Sequence, residues 1–242
     1  MIMKNLRIFK GRGKAFCLFW LMLLAAPMYV SAQETLTVYD GTATNQFIPM
    51  YGFYFDDYTK SECIIPATDL ADMDGGTITA ITFYPSSVGG NSWNGSVQTV
   101  FLKEVSSTTL GGSYSGTSGA TTVKVGSPLA MPTAGTAYTI TFDTPYTYNG
   151  GNLLIGVYNV VRGWYNSVAW WGTWDVPSGV SAYGSNSNSL SNVPYNAQHF
   201  LPKTTFTYTL SGYKVKVGTM SHGSIQFNTG GNNWYDHLVM IK

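Results

Sequence analysis

Apolar and polar residues alternate most cleanly at Tyr138, Ile140 and Phe142 against Thr139, Thr141 and Asp143, and again at Phe206, Tyr208 and Leu210 against Thr205, Thr207 and Thr209. A period of two predicts, for each run, a strand with one face in a core and the other in water. Less regular strands are expected at 36–39, 78–84, 97–105 and 121–125. The run from Leu153 to Tyr158 is apolar at nearly every position apart from Gly156, the pattern of a central strand covered on both faces. Turn chemistry separates these runs at Gly89-Gly90-Asn91, Gly111-Gly112, 132–135 and Asn149-Gly150-Gly151-Asn152. One short helix is expected in PATDLADMDGG. There Pro66 suits the first turn, Leu70 and Met73 share a face, and Gly75 can close the end in the left-handed region. Many short strands with no long helical pattern predict an all-β chain, an antiparallel β-sandwich of jelly-roll character. After Ser211-Gly212 the run YKVKVGTMSHGSIQF alternates as a hairpin would, Lys214 and Lys216 against Val215 and Val217.

The first 32 residues follow another pattern. Lys4, Arg7, Lys10, Arg12 and Lys14 precede an apolar stretch from Ala15 to Ala26, and Val30-Ser31-Ala32 supplies the small residues a signal peptidase accepts. The apolar core is shorter than the ~20 residues a spanning helix needs, so the segment reads as a signal peptide cut before Gln33, with no membrane span afterwards. The expected organisation is a leader at 1–32, a sandwich domain at 33–211, and a C-terminal hairpin or the shortened start of a second β module at 212–242. The destination is the cell surface, the medium or the periplasm.

Removing the leader changes the charge and the thiol count. Of 13 Lys and Arg, five leave with it, so eight basic residues face 12 acidic ones and the net charge falls to about −4. That balance argues against nucleic acid, which asks for a basic patch. Cys17 leaves as well, and the lone Cys63 excludes a disulfide framework and zinc sites built on cysteine pairs. Cys63 beside Ile64 and Ile65 reads as a small buried hydrophobe. Gly, Ser, Thr, Asn and Tyr dominate the rest, a composition suited to pleated sheets with hydroxyl-bearing outer faces.

The phrases TVYDGTATNQFIPMYGFYFDDYTKSECIIPATDL, ITAITFY, VFLKEV, YTYNGGNLLIGVYN and FLPKTTFTY together resemble a domain of secreted and surface proteins of Bacteroidetes, across roughly 34–210. More distantly, the chain is similar to the jelly-roll adhesin domains of the gingipain and haemagglutinin group. The resemblance implies an exported β-sandwich active in surface attachment or glycan-related biology, and it carries over no catalytic set. The tail after Gly212 looks like the opening of a bacterial Ig-like or related β repeat.

The candidate ligand-binding residues are Trp164, Tyr165, Trp170, Trp171 and Trp174, with Trp93 on a separate loop. Flat aromatic faces stack on the apolar C–H faces of sugars, and Asn166, Asn186 and Asn188 could bond hydroxyls. The same tryptophans could instead fill a core, and in a strand Trp170 and Trp171 must face opposite sides. Tyr51, Phe53, Tyr54, Phe55 and Tyr58 read as the two faces of a sheet. Asp56 and Asp57, with Asp40 or Glu62, could hold calcium in a loop; Asp69, Asp72 and Asp74 miss the EF-hand spacing and read as solvated carboxylates. His199, His222 and His237 lack the HExxH arrangement, and no stretch matches G-x-S-x-G or a phosphate loop. The expectation is a non-enzymatic binding module with no cofactor, recognising a glycan or a surface protein. A structural or protein-interaction module is the alternative, and a glycan hydrolase a third reading that needs two converging carboxylates.

Overall fold

The computed structural model describes residues 33–50, 58–90, 96–126, 132–160 and 166–210, with the backbone alone at 90, 166–167, 225–228 and 234–237. In chain order the strands are β1 (Gln33–Val38), β2 (Ala43–Asn45), β3 (Tyr58–Ile65), β4 (Gly76–Phe83), β5 (Pro85–Gly90), β6 (Val97–Val105), β7 (Thr121–Gly126) and β8 (Tyr138–Thr147). They continue with β9 (Asn152–Val160), β10 (Asn166–Thr173), β11 (Ser181–Asn186), β12 (Asn196–Gln198), β13 (Leu201–Pro202), β14 (Thr204–Leu210), β15 (Ile225–Asn228) and β16 (Trp234–His237).

Two antiparallel sheets make the sandwich: a four-stranded sheet in the order β1-β14-β4-β8 and a six-stranded sheet in the order β12-β11-β3-β9-β6-β7. Alternation explains the pairing of their faces. Phe206 and Tyr208 on β14, Ile81 and Phe83 on β4, and Tyr138, Ile140 and Phe142 on β8 point inward, where Cys63, Ile65, Val100, Leu102, Ile155 and Val157 of the six-stranded sheet meet them in one core. Along one side β7 and β8 run next to each other, and Lys124 pairs with Asp143 at 2.7 Å across them. A small third sheet, β13-β10-β2 with β5 also on β10, closes the core elsewhere.

The apolar run at 153–158 is the central strand its pattern predicts. β9 lies between β3 and β6, and every residue from Leu153 to Asn159 is buried. Its outer face carries a second cluster, Ile64, Phe101, Leu110, Leu154, Tyr158 and Ala182, roofed by Tyr114, Ala120, Leu190 and Tyr195 from neighbouring segments. The expected helix is a 3-10 helix at Ala67–Met73 rather than an α-helix. Pro66 precedes it, Leu70 and Met73 are buried, and Gly75 follows at φ 72°. Seven residues are few for an α-helix whose end groups already need outside partners.

One expectation is corrected. Gly89 and Gly90 do not turn but extend β5, because they pair with Ser167 and Asn166 of β10. A C-terminal hairpin is described within the expected 212–242. Its described strands β15 and β16 pair from Ile225↔His237 to Asn228↔Trp234, and residues 214–217 fall outside the described residues.

Candidate functional site

Strand β10 decides the fate of the tryptophan run. Trp170 is fully buried, its indole Nε1–H donates to the Met50 carbonyl at 3.1 Å, and its ring meets Phe83 and Tyr138 edge-on at 6.2 and 5.8 Å between centroids. The structure therefore removes Trp170 from the candidate platform: it is a core side chain whose one polar atom is satisfied internally. Gly172 lies two residues on, facing the same way, where a Cβ would sit 2.2 Å from the Leu201 carbonyl oxygen and 2.5 Å from Phe200. Only glycine lets β13 close so tightly on β10.

Alternation sends Trp171 to the outer side, where it is half-buried. Its backbone is clamped there, N–H donating to Tyr84 O at 2.9 Å and C=O accepting from Lys203 N–H at 2.8 Å. Trp174, one residue past the strand, is 37% exposed. Its ring leans on buried Phe200 (4.9 Å) and on exposed His199 (5.0 Å), leaving the rest of its surface to solvent. Trp171 and Trp174 thus survive as accessible candidates at different places. Trp93, Trp164 and Tyr165 lie outside the described residues, as do Tyr51, Phe53, Tyr54, Phe55, Asp56 and Asp57. Asn186 closes its own turn, its Oδ1 accepting from Asn188 N–H at 2.8 Å and its Nδ2 donating to Asn192 O at 3.1 Å. Asn188 is exposed.

Among the described carboxylates considered for a metal, Glu62 holds backbone, while Asp40 and Asp69 meet side chains. Glu62, 1% exposed, accepts from Ser115 N–H (2.7 Å), Gly116 N–H (2.9 Å) and the Tyr158 hydroxyl (2.5 Å), pinning the glycine-rich loop onto the six-stranded sheet. Burial first, and the charge and hydrogen bond of Glu62 next, push the Tyr158 phenol far above its usual range, so it stays a donor. Beside it Lys60 Nζ lies 5.0 Å from the ring centres of both Tyr114 and Tyr158, and desolvation lowers the Lys60 pKa. Glu104 holds the Asn149-Gly150-Gly151 turn through the amides of Asn149 and Gly151, each at 2.8 Å. Asp40 pairs with Lys203 at 2.5 Å, and Asp69 accepts from the Tyr39 hydroxyl. Among the described residues no three His, Cys, Asp or Glu side chains gather as a metal site.

Cys63 is 1% exposed, and burial together with the charge of Glu62 raises its pKa to about 12, which keeps the thiol protonated. On the same inner face the sheet turns polar towards one end. Thr59, Asn159 and Gln98 are register partners in one row, all buried, and Gln98 Nε2 contacts Met50 Sδ at 3.2 Å. Thr59 Oγ1 and Asn159 Oδ1 have no hydrogen-bond partner among the described residues.

Sequence reasoning did not single out the Glu62 anchor. The alternation in YTKSECII puts Lys60 and Glu62 on the face opposite Ser61 and Cys63, but the loop they meet is about 50 residues away. A search against protein-family models found no match to this chain, and a search of curated proteins found none either.

Proposed function

We propose that this chain is an exported binding module that recognises glycans through exposed aromatic side chains. The observation that carries the reading is Trp174, a large ring 37% exposed at the rim of the sandwich and propped by Phe200 and His199. A ring held from behind loses little freedom when a sugar stacks on its open side. Half-buried Trp171 offers a second contact on the outer side of β10. The leader-like first 32 residues and the resemblance to Bacteroidetes surface domains support an external place of work.

Glycan-array binding of the purified protein, with Trp174→Ala beside it, tests the reading. Loss of one stacking ring should weaken binding about 3- to 10-fold with the melting temperature unchanged. No binding across a broad glycan set, or full binding by the variant, overturns it.

A protein-interaction module is the second reading, favoured by Val97 and Val125, which are 43% and 54% exposed. Both lie on the outer side of the six-stranded sheet, beside Val160 and Thr99 respectively. Concentration-dependent association that Val125→Lys abolishes would support it.

A further inference from the structure

The outer face of the four-stranded sheet repeats one side chain almost without interruption. Register places Thr37, Thr205, Thr82 and Thr139 in one row across all four strands. The next row is Thr35, Thr207, Ala80 and Thr141, and the one after it Gln33, Thr209, Thr77 and Thr147. Ten of these 12 positions are threonine and none is charged. Those on the edge strands β1 and β8 are exposed, while Thr82 at the centre is 8% exposed. The hydroxyls are tied sideways: Thr37 to Thr205 at 2.7 Å, Thr82 to Thr139 at 2.8 Å, and Thr205 also to the Tyr84 hydroxyl at 2.7 Å. Each paired hydroxyl keeps acceptor capacity while the methyl groups add apolar contact. Beyond Tyr84 the face ends at Lys203, whose Nζ lies 4.6 Å from the Tyr84 ring centre.

We propose that this face is a docking surface for a neutral polysaccharide chain. Neighbouring positions are ~4.8 Å apart across strands and the first two rows ~6.7 Å apart along them, a grid of methyl and hydroxyl groups; the third row lies beyond a register shift, where residues 142–145 of β8 are unmatched on β4. A repeating grid rewards a repeating ligand, because each added unit meets the same chemistry and the contacts add as linked binding events. Sugars present both C–H and O–H groups, and the one acidic side chain on this side of β8, Asp143, is already paired with Lys124 at 2.7 Å, so the threonine rows themselves carry no charge to recruit an acidic or basic partner. Ordered ice also repeats, but it is flat and rigid. Sheet twist of roughly 20° per strand rotates β8 against β1 by about 60° over the three strand steps. A polysaccharide follows that twist through its glycosidic torsions. The inference stands on register and does not depend on Trp174, which is not part of this face.

The test is co-sedimentation of the purified protein with insoluble cellulose, xylan, chitin and starch granules. Thr35→Lys and Thr141→Lys place unpaired charges at the two exposed ends of the middle row, and a melting curve checks each fold. Binding to at least one polymer that falls about tenfold or more in the double variant, with its melting curve unchanged, is the expected result. Failure of the wild-type protein to bind any of the four, or equal binding by the double variant, overturns the proposal. Inhibition of ice recrystallisation without polysaccharide binding overturns it in favour of an ordered-water surface. Loss of glycan binding only in Trp174→Ala would leave the aromatic reading standing and this one refuted.

Discussion

Gly156 is the one small residue in the apolar run of β9, and replacing it with alanine should destabilise the protein although alanine is the better strand residue. In register Gly156 lies between Glu62 of β3 and Phe101 of β6, on the outer face of the six-stranded sheet. The Phe101 ring folds over it, so an added Cβ would fall 2.0 Å from Cζ and 2.5 Å from both Cε atoms. Reaching an ordinary 3.4 Å contact requires the ring to move about 1.4 Å. Phe101 has nowhere to go: it is fully buried, and its ring meets Tyr158 at 4.9 Å edge-on. Overpacking of this kind costs about 1–3 kcal/mol, against a gain of about 0.5–1 kcal/mol from replacing glycine in a strand. With so deep an overlap the upper end of the first range applies, for a net loss of about 2 kcal/mol. That is roughly 4–8 °C in melting temperature for a domain of this size. Urea denaturation of Gly156→Ala, Phe101→Leu and the double variant reads the effect directly. In the Phe101→Leu background the alanine should cost less, with a coupling of about 1–2 kcal/mol. A Gly156→Ala protein as stable as wild type, or strictly additive variants, would refute the packing argument.

Glu62→Gln turns one acceptor oxygen into a donor facing an amide or hydroxyl donor. It should cost about 2–4 kcal/mol and speed hydrogen exchange at Ser115 and Gly116, whereas unchanged exchange there would dismiss the anchor. Thr59→Val removes a buried hydroxyl without a described partner and should leave stability equal or raise it by about 1 kcal/mol; a loss of more than that in a denaturation midpoint would mean the hydroxyl is bonded. Cys63 should resist thiol reagents at pH 8 until the protein unfolds, and rapid labelling of the native state would contradict its burial. Its folded pKa of about 12 exceeds the ordinary value of 9.0, so the unfolded chain loses this proton first. Stability from this group is therefore complete below pH 9 and declines as pH rises towards 12, by about 1.4 kcal/mol per unit. Tyr146, Tyr148 and Tyr208, each raised to about 12 chiefly by burial, steepen the same alkaline limb. A flat melting temperature from pH 8 to 11 would contradict these assignments.

What was legible in the chain follows from which interactions are local. Tyr138, Ile140 and Phe142 alternate with polar neighbours because one face of β8 is solvated, and a period of two records that. Leu153 to Tyr158 loses its alternation because a second cluster roofs the outer face, and the continuous run records that as well. Strands of two or three residues, such as β2, β12 and β13, are too short to carry a period, and only their partners make them strands. The pair Trp170-Trp171 shows the limit most clearly. Alternation says one ring is inside and one outside, but the choice belongs to the segment ending at Met50, whose carbonyl receives the indole about 120 residues earlier in the chain.

The two sheets differ in a way that bears on where a partner can sit. The six-stranded sheet is covered twice, by the shared core inside and by Phe101, Leu110 and Tyr158 under a glycine-rich loop outside, with Glu62 holding that loop down. Much of its outer surface is therefore spent on the protein's own stability. The four-stranded sheet has the same core inside, yet its outer rows carry threonines in place of the apolar residues that would fix a covering loop. Solvation alone asks only for polar residues there, and lysine or glutamate would serve it as well while discouraging edge association. Threonine at ten of these 12 positions excludes charge there as well as greasiness, and Asp143 beside them on β8 is already paired with Lys124. That double exclusion is what a neutral, hydroxylated partner requires, and placing lysine at positions 35 and 141 tests whether the exclusion matters.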